Sequence, residues 1–225
     1  MEIVLIRHGE PEWVRSGLSV DNPPLTTRGC QQAEAMAAAL SREQFDEVLV
    51  SPLQRARQTA TPLLRALERP EVLEPWLEEI GNPVWHGTPA EKAEEVFKAE
   101  RSKQAPQRWD GLPGGESVKS FTERIHRGLT GFLTERGISR GRTDFPIWHL
   151  PADSRRIAIV AHAGTNAVVI SHLLGLQPVP WEWDRFVLGH ASVSRLEALP
   201  VGDGHTFSLT RLGDVEHLQA SDRTR

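Results

Sequence analysis

Three short apolar runs, closing at Ile6, Val50 and Ala161, constrain this chain more than any other feature. A run with no polar alternation is buried on both faces, and strands buried on both faces belong to parallel sheets covered by helices. Met1 to Ile6 reads as the first strand, Glu47 to Val50 as the second, and Ile157 to Ala161 as the cleanest of all. Helical patterns lie between them. LTTRGCQQAEAMAAALSR offers Thr26 or Thr27 as an N-cap, puts Ala33, Met36, Ala37 and Leu40 on one face and closes near Ser41. Ser51-Pro52 opens a second helix to about Glu68, with the proline early, where its missing N–H costs nothing.

Val72 to Trp76 is a weaker third strand, and Pro89 to Gln104 a charged helix with Ala93, Val96 and Phe97 as its stripe. Glu116 to about Arg136 is a long helix stopped by Gly137, with Val118, Phe121, Ile125, Leu129 and Phe132 three and four residues apart. An apolar helix from Thr165 to Leu174 follows the last buried strand. Ser192 to Leu199 and Thr206 to Leu212 alternate, as antiparallel late strands do. The expected fold is α/β: three layers, a doubly wound, mostly parallel sheet with helices on both faces. Residues 1–225 read as a single domain, with 139–156 an insertion loop and 218–225 a frayed tail.

Partners are bounded by charge. Lys and Arg number 26 against 30 acids, a net charge of −4, without the basic excess of a nucleic-acid binder. No apolar stretch approaches the 18 or so residues of a membrane span, and the first residues do not read as a leader. The one cysteine, Cys30, excludes an intramolecular disulfide. The expectation is a cytoplasmic protein acting on a small molecule, with neither nucleic acid nor membrane as partner; a homo-oligomer is left open.

In a doubly wound sheet ligands bind outside the carboxyl ends of the strands. Arg7-His8-Gly9-Glu10 follows the first strand, Ser51 with Arg55 and Arg57 the second, Glu78-Glu79 the third, and His162 the fourth. Alone, each has a bland reading, since most histidines are structural and most helix arginines are solvated. Together they deliver two imidazoles, guanidiniums and an acid to one edge. Guanidinium forks match phosphate oxygens, and a neutral imidazole is nucleophilic near pH 7, so a phosphate monoester fits best. Attack by His8 would form a phosphohistidine, an acid such as Glu79 would protonate the leaving oxygen, and Arg7, Arg55 and His162 would neutralise the transferring group. This chemistry requires neither a metal nor a cofactor. The remaining histidines, at 86, 126, 149, 172, 190, 205 and 217, have no ligand spacing, so no metal site is assigned.

These residues match a known pattern. RHGE at 7–10, LTTRGCQQA at 25–33, SPLQRARQTA at 51–60, LEE at 77–79, PGGES at 113–117 and VAHAG at 160–164 resemble the histidine phosphatase superfamily, the phosphoglycerate mutase-like proteins. The resemblance runs from Met1 to about Leu199. It implies His8 as the phosphoryl acceptor, Arg7 and Arg55 as phosphate ligands, Glu79 as acid and base with Glu78 as fallback, and His162 as the second active-site histidine; Arg57 gets no role. Mutases of this family usually follow RHGE with Ser-x-Trp-Asn, whereas here Pro11, Glu12, Trp13 and Val14 follow. Nor does the 80–110 stretch, with its GNPVWHGTPAE, match the basic residues that grip the second anionic end of a phosphoglycerate. The family's acid-phosphatase branch has an Asp directly after the second His, which VAHAG lacks, and that favours Glu79 as the acid.

The expected activity is therefore metal-independent hydrolysis of a small phosphate monoester. A phosphomutase and a catalytically silent binding module on the same fold are the alternatives. Substrate contacts stay unassigned. Of seven Trp, those at 85, 109, 148, 181 and 183 fall in loops or near sheet ends, where they either pack or line the substrate mouth. Gly114 to Ser117 could cradle phosphate but reads better as a helix start with Glu116 at the positive end of the dipole.

Overall fold

The computed structural model describes residues 1–141, 145–153 and 155–225. In chain order the strands and α-helices are β1 (Glu2–Arg7), β2 (Val14–Arg15), β3 (Leu18–Ser19), α1 (Thr27–Leu40), β4 (Glu47–Val50), α2 (Gln54–Leu67), β5 (Val72–Leu73), α3 (Ala90–Arg101), α4 (Val118–Glu135), β6 (Ser139–Arg140), β7 (Trp148–His149), β8 (Arg156–Ala161), α5 (Ala163–Leu173), α6 (Glu182–Arg185), β9 (Val193–Val201) and β10 (Gly204–Asp214). Among the described residues eight strands form one sheet in the order β5-β4-β8-β1-β9-β10-β7-β6. The half from β5 to β1 is parallel. The half beyond β1 is antiparallel, because β9 and β10 are joined by a tight turn that only antiparallel strands can use.

Both faces are covered, as the unbroken apolar runs require. Ile3 and Leu5 of β1 pack with Phe121, Ile125 and Leu129 of α4 and with α5, while Val4 and Ile6 pack on the opposite side with Met36 of α1 and Leu63 of α2. Truncating a fully buried aromatic such as Phe121 would cost roughly 3–5 kcal/mol, so these two cores make a stiff platform.

Helix starts follow capping chemistry. Thr26, not Thr27, caps α1, its hydroxyl accepting the Gly29 N–H at 2.9 Å. Ser117 caps α4 in the same way, and Glu116 before it pairs with Arg124 at 2.8 Å, so the Gly114–Ser117 run is a helix start. α2 begins two residues beyond Pro52: the Ser51 hydroxyl, 2.7 Å from His162 Nε2, accepts the Leu53 N–H at 3.4 Å, and the Gln54 N–H goes to Asn22 Oδ1 at 2.8 Å. The third strand shortens to Val72–Leu73, since Pro75 has no N–H for the ladder and opens a 3₁₀ turn, Pro75–Leu77.

Two regions differ from the sequence expectation. Within 139–156 the described residues carry β6 and β7, which extend the sheet beyond β10, and Trp148 is buried with its indole N–H on the Leu173 carbonyl at 3.1 Å. Residues 142–144 and 154 of that segment lie outside the described residues. The tail at 218–225 is docked, not frayed: Leu218 joins the α1–α2 core, and Gln32 Nε2 donates to the Asp222 carbonyl at 2.7 Å and to Thr224 Oγ1 at 2.9 Å. One apolar residue and three or four hydrogen bonds suffice to order a polar tail, and its composition does not display them.

Candidate active site

Strand register assembles the site. Arg7 lies opposite Ala161, and Val50 opposite Val160, so His8, Ser51 and His162 leave the sheet side by side. The backbone N–H of His8 donates to the Ala161 carbonyl at 2.9 Å and that of Ser51 to the Val160 carbonyl at 3.0 Å.

His8 Nδ1 lies 2.7 Å from the Gly9 carbonyl oxygen. A carbonyl only accepts, so Nδ1 carries the proton and the lone pair is on Nε2. Burial, then the fields of His162, Arg55 and Arg7, hold its pKa well below 6.5, which keeps the ring neutral at pH 7. His162 is wholly buried, 5.2 Å from His8 between ring centroids, and its Nε2 is 2.7 Å from Ser51 Oγ. Burial first and then Arg55, Arg7 and Arg124 keep it neutral as well.

Arg7 donates to the Leu188 carbonyl at 2.5 Å and to His190 Nε2 at 3.0 Å. Arg55, in the first turn of α2, is almost fully buried and lies 4.8 Å from the centre of the Trp13 ring. Burial lowers both guanidinium pKa values to about 10, still protonated at neutral pH. Among the described residues Arg7 Nε, Arg55 Nε and His162 Nδ1 are buried with no hydrogen-bond partner. Two orphaned guanidinium N–H donors, with an unpartnered ring nitrogen beside them, suit an anion with several oxygens.

Glu79 enters from the loop after the Pro75–Leu77 turn. Its Oε2 accepts the Gly164 N–H at 2.9 Å and its Oε1 the Ile80 N–H at 3.0 Å, so the first turn of α5 fixes the carboxylate two residues from His162. Glycine at 164 lets the carboxylate sit on these amides: a Cβ there would fall 2.5 Å from Glu79 Oε1 and displace it. Arg124 of α4 holds the same segment, donating to the carbonyls of Trp76 and Glu78 at 3.0 and 3.2 Å. The Glu78 carboxylate is not held in this way and faces a cavity. Arg57 points away and pairs with Glu71 at 2.8 Å.

Sequence reasoning missed the supports. His190 bonds Arg7 through Nε2 and donates from Nδ1 to Thr224 Oγ1 at 2.8 Å, with burial taking its pKa to about 3. Thr59 accepts the Gly9 N–H at 2.9 Å and Gln32 the Glu10 N–H at 2.7 Å. Both lie inside matched motifs, SPLQRARQTA and LTTRGCQQA, which was the available signal. Trp13 keeps the Trp of the Ser-x-Trp-Asn pattern while Pro11 and Val14 depart from it, and its place as a wall beside Arg55 emerges only in the fold.

Two cavities flank residues 79–82. The larger, about 620 Å³, is bounded by Arg55, Trp13, Trp85 and Phe97; the smaller, about 400 Å³, by Gly164, Arg101, Arg108 and Trp183. Of the tryptophans singled out from sequence, 85 and 183 thus line cavities, 148 is core, and 181 lies under Arg108 at 5.7 Å. Among the described residues no helix is long and apolar enough to cross a membrane, and no three His, Cys, Asp or Glu are grouped as metal ligands.

A family model of the histidine phosphatase superfamily (branch 1) matches residues 3–214. The probable phosphoglycerate mutase GpmB of Escherichia fergusonii is 28% identical over 226 residues, covering 98% of this chain and 96% of the relative. Phosphoserine phosphatase 1 of Hydrogenobacter thermophilus is 32% identical over 139 residues, 60% of this chain and 64% of its own. Among solved structures, a mycobacterial glucosyl-3-phosphoglycerate phosphatase complexed with VO3 superposes with a TM-score of 0.70 at 23% identity, covering 95% of this chain and 99% of that one.

Proposed function

The chain belongs to the histidine phosphatase superfamily, and within it we propose a phosphatase that hydrolyses a small phosphate monoester through a phosphohistidine, without a metal. The observation that carries this reading is the tautomer of His8: with Nδ1–H committed to the Gly9 carbonyl, the nucleophilic nitrogen is Nε2. As Nε2 bonds to phosphorus, positive charge grows on the imidazole, and the Gly9 carbonyl at 2.7 Å stabilises it through the Nδ1 proton. The P–O bond to the alcohol breaks, and Glu79 gives that oxygen a proton. In the second step Glu79 takes a proton from water, the water oxygen bonds to phosphorus, and Nε2 departs. Arg7 and Arg55 bind the non-bridging oxygens through their unpaired N–H groups and supply the positive charge that phosphoryl transfer needs, and neutral His162, with Ser51 Oγ donating to its Nε2, adds an Nδ1–H hydrogen bond.

Hydrolysis rather than transfer to a second hydroxyl is favoured by the stretch after RHGE. Pro11 and Val14 stand where the mutases' Ser and Asn would offer a hydroxyl and an amide to a phosphate, and neither side chain can replace them. The names of the relatives include both a mutase and a phosphatase, so the distinction needs its own test. Acid-quenched and base-quenched reactions with labelled substrate should yield acid-labile, base-stable phosphate on the protein, and release of inorganic phosphate should not require bisphosphoglycerate. Absence of label at every quench time would refute the covalent route. Strict dependence on bisphosphoglycerate would make the protein a mutase.

A further inference from the structure

We infer that the larger cavity receives the alcohol part of the substrate, and that this part is uncharged and carries a flat apolar group. The inference rests on the phosphatase reading only for where the phosphate sits. The cavity, about 620 Å³, is of small-molecule size and opens directly from Arg55. Its wall begins at Trp13, whose ring faces the Arg55 guanidinium, and continues to Trp85 and Phe97, which meet edge to face at 5.2 Å. Much of this wall is in water: Trp13 is 43% exposed, Phe97 38% and Val84 84%. Exposed apolar side chains gathered around one cavity in this way mark a binding site.

Charge narrows the ligand further. Among the described residues that line the cavity Arg55 is the sole cation, and it is needed for the phosphate; the acids Asp21, Glu78 and Glu79 complete the set. Asp21 is used structurally, accepting the N–H groups of Trp85 and His86 at 3.3 Å each, which pins the Trp85 loop to the β2–β3 hairpin. A carboxylate on the alcohol would enter without a partner and face Glu78, a costly arrangement in a partly desolvated site. The smaller cavity does hold Arg101 and Arg108, but Arg108 is paired with Asp184 at 3.1 Å, and neither Arg55 nor Trp13 lines it. A phosphorylated hydroxy acid therefore fits worse than the phosphate of a flat, neutral alcohol.

Uncleavable probes test this separately from turnover. Calorimetric titration of the full chain with 2-phenylethylphosphonate, 2-carboxyethylphosphonate and inorganic phosphate should show the phenyl compound binding at least about 10-fold tighter than the carboxylate. Trp85→Ala and Phe97→Ala should each reduce that ratio by about 3- to 10-fold. Inorganic phosphate affinity reports whether each variant has kept its fold. Val84→Lys, at a position too exposed to matter for folding, should lower the ratio as well, by giving the carboxylate the cation it lacks. Equal binding, tighter binding of the carboxylate, or a ratio unmoved by all three variants would each overturn the inference. A carboxylate preference lost in Arg101→Ala would do so too, and would move the alcohol into the smaller cavity. A protein that binds the phenyl compound as expected but forms no phosphohistidine keeps this inference and loses the phosphatase reading.

Discussion

At the phosphate end of the cleft, His8, Arg55 and His162 are buried, hang from the ends of core strands or the start of a packed helix, and are neighboured by backbone groups that fix their orientation. At the other end α3, which roofs the larger cavity, has no fully buried side chain and is held mainly by its contact with the β2–β3 hairpin, through bonds such as Ala90 N–H to the Gly17 carbonyl at 3.0 Å. The first region can hold reacting atoms still, because moving His8 would break sheet hydrogen bonds. The second can change its lining at little cost in stability. Chemistry common to many substrates belongs at the first end and selection among alcohols at the second.

The largest test of this division is His8→Ala. Removing the nucleophile should abolish both turnover and protein-bound phosphate for every ester while the protein stays folded: His8 is buried, but its ring meets His162, His190 and its neighbour's carbonyl and belongs to neither apolar core. Activity near that of the unmodified protein would end the covalent scheme, and selective loss for one ester would end the division. Chelation should leave the rate unchanged, and restoration only by a divalent metal would contradict the charge supply assigned to Arg7 and Arg55.

Glu79→Gln comes next and should be selective by leaving group, not by shape. Alkyl phosphates, whose alkoxides need a proton, should slow by about 10²- to 10⁴-fold, and aryl phosphates far less. Glu78→Gln should show no such selectivity. Gly164→Ala should imitate Glu79→Gln in kcat, because the new Cβ would fall 2.5 Å from Glu79 Oε1 and push the carboxylate off its amides. Equal slowing of both ester classes in Glu79→Gln would move the proton donor elsewhere, with His162 the next candidate.

Acid separates kinetics from stability. His172, packed against His126 at 4.5 Å between α4 and α5, has its pKa lowered by burial to about 4. Unfolded, the same ring titrates near 6.5, so below that pH the unfolded chain binds more protons and stability falls as pH drops toward 4. The maximum slope is about 1.4 kcal/mol per pH unit for one such histidine. His172→Gln should flatten the stability profile between about pH 6.5 and 4 and leave the acid limb of kcat unchanged. An unchanged stability slope would contradict the burial of a neutral ring there.

The same contrast explains what could be read from sequence. The strands β1, β4 and β8 were legible almost to the residue because being buried on both faces leaves only apolar choices, and His8, Arg55 and His162 could be placed at one edge because they follow those strands, whereas Glu79, beyond the shortened β5, stood out only through the LEE motif. The supports were not: His190 meets Arg7 from 183 residues away, and Thr224, bonded in turn to His190, arrives there only with the folded tail. The tail read as frayed for the same reason. The cavity walls were invisible because an exposed Val84 or Phe97 looks like any loop or helix surface until the hairpin and α3 are placed around it.

Trp13 joins the two ends, and its replacement should give the smallest effect. Its ring lies 4.8 Å from the Arg55 guanidinium and also lines the larger cavity. A cation over an exposed indole is worth about 0.5–1 kcal/mol, or roughly 2- to 5-fold in an equilibrium. Trp13→Leu keeps an apolar wall but loses the ring quadrupole, so KM should rise by about that factor for every phosphate ester, with kcat nearly unchanged. Arg55 is anchored by burial as well as by the ring, and that is why the effect stays in binding. A further rise confined to flat alcohols would locate the cavity's selectivity in the indole. A fall in kcat comparable to that of Arg55→Ala would show that the rim sets the position of the phosphate arginine, and the two ends would then have to be treated as one machine.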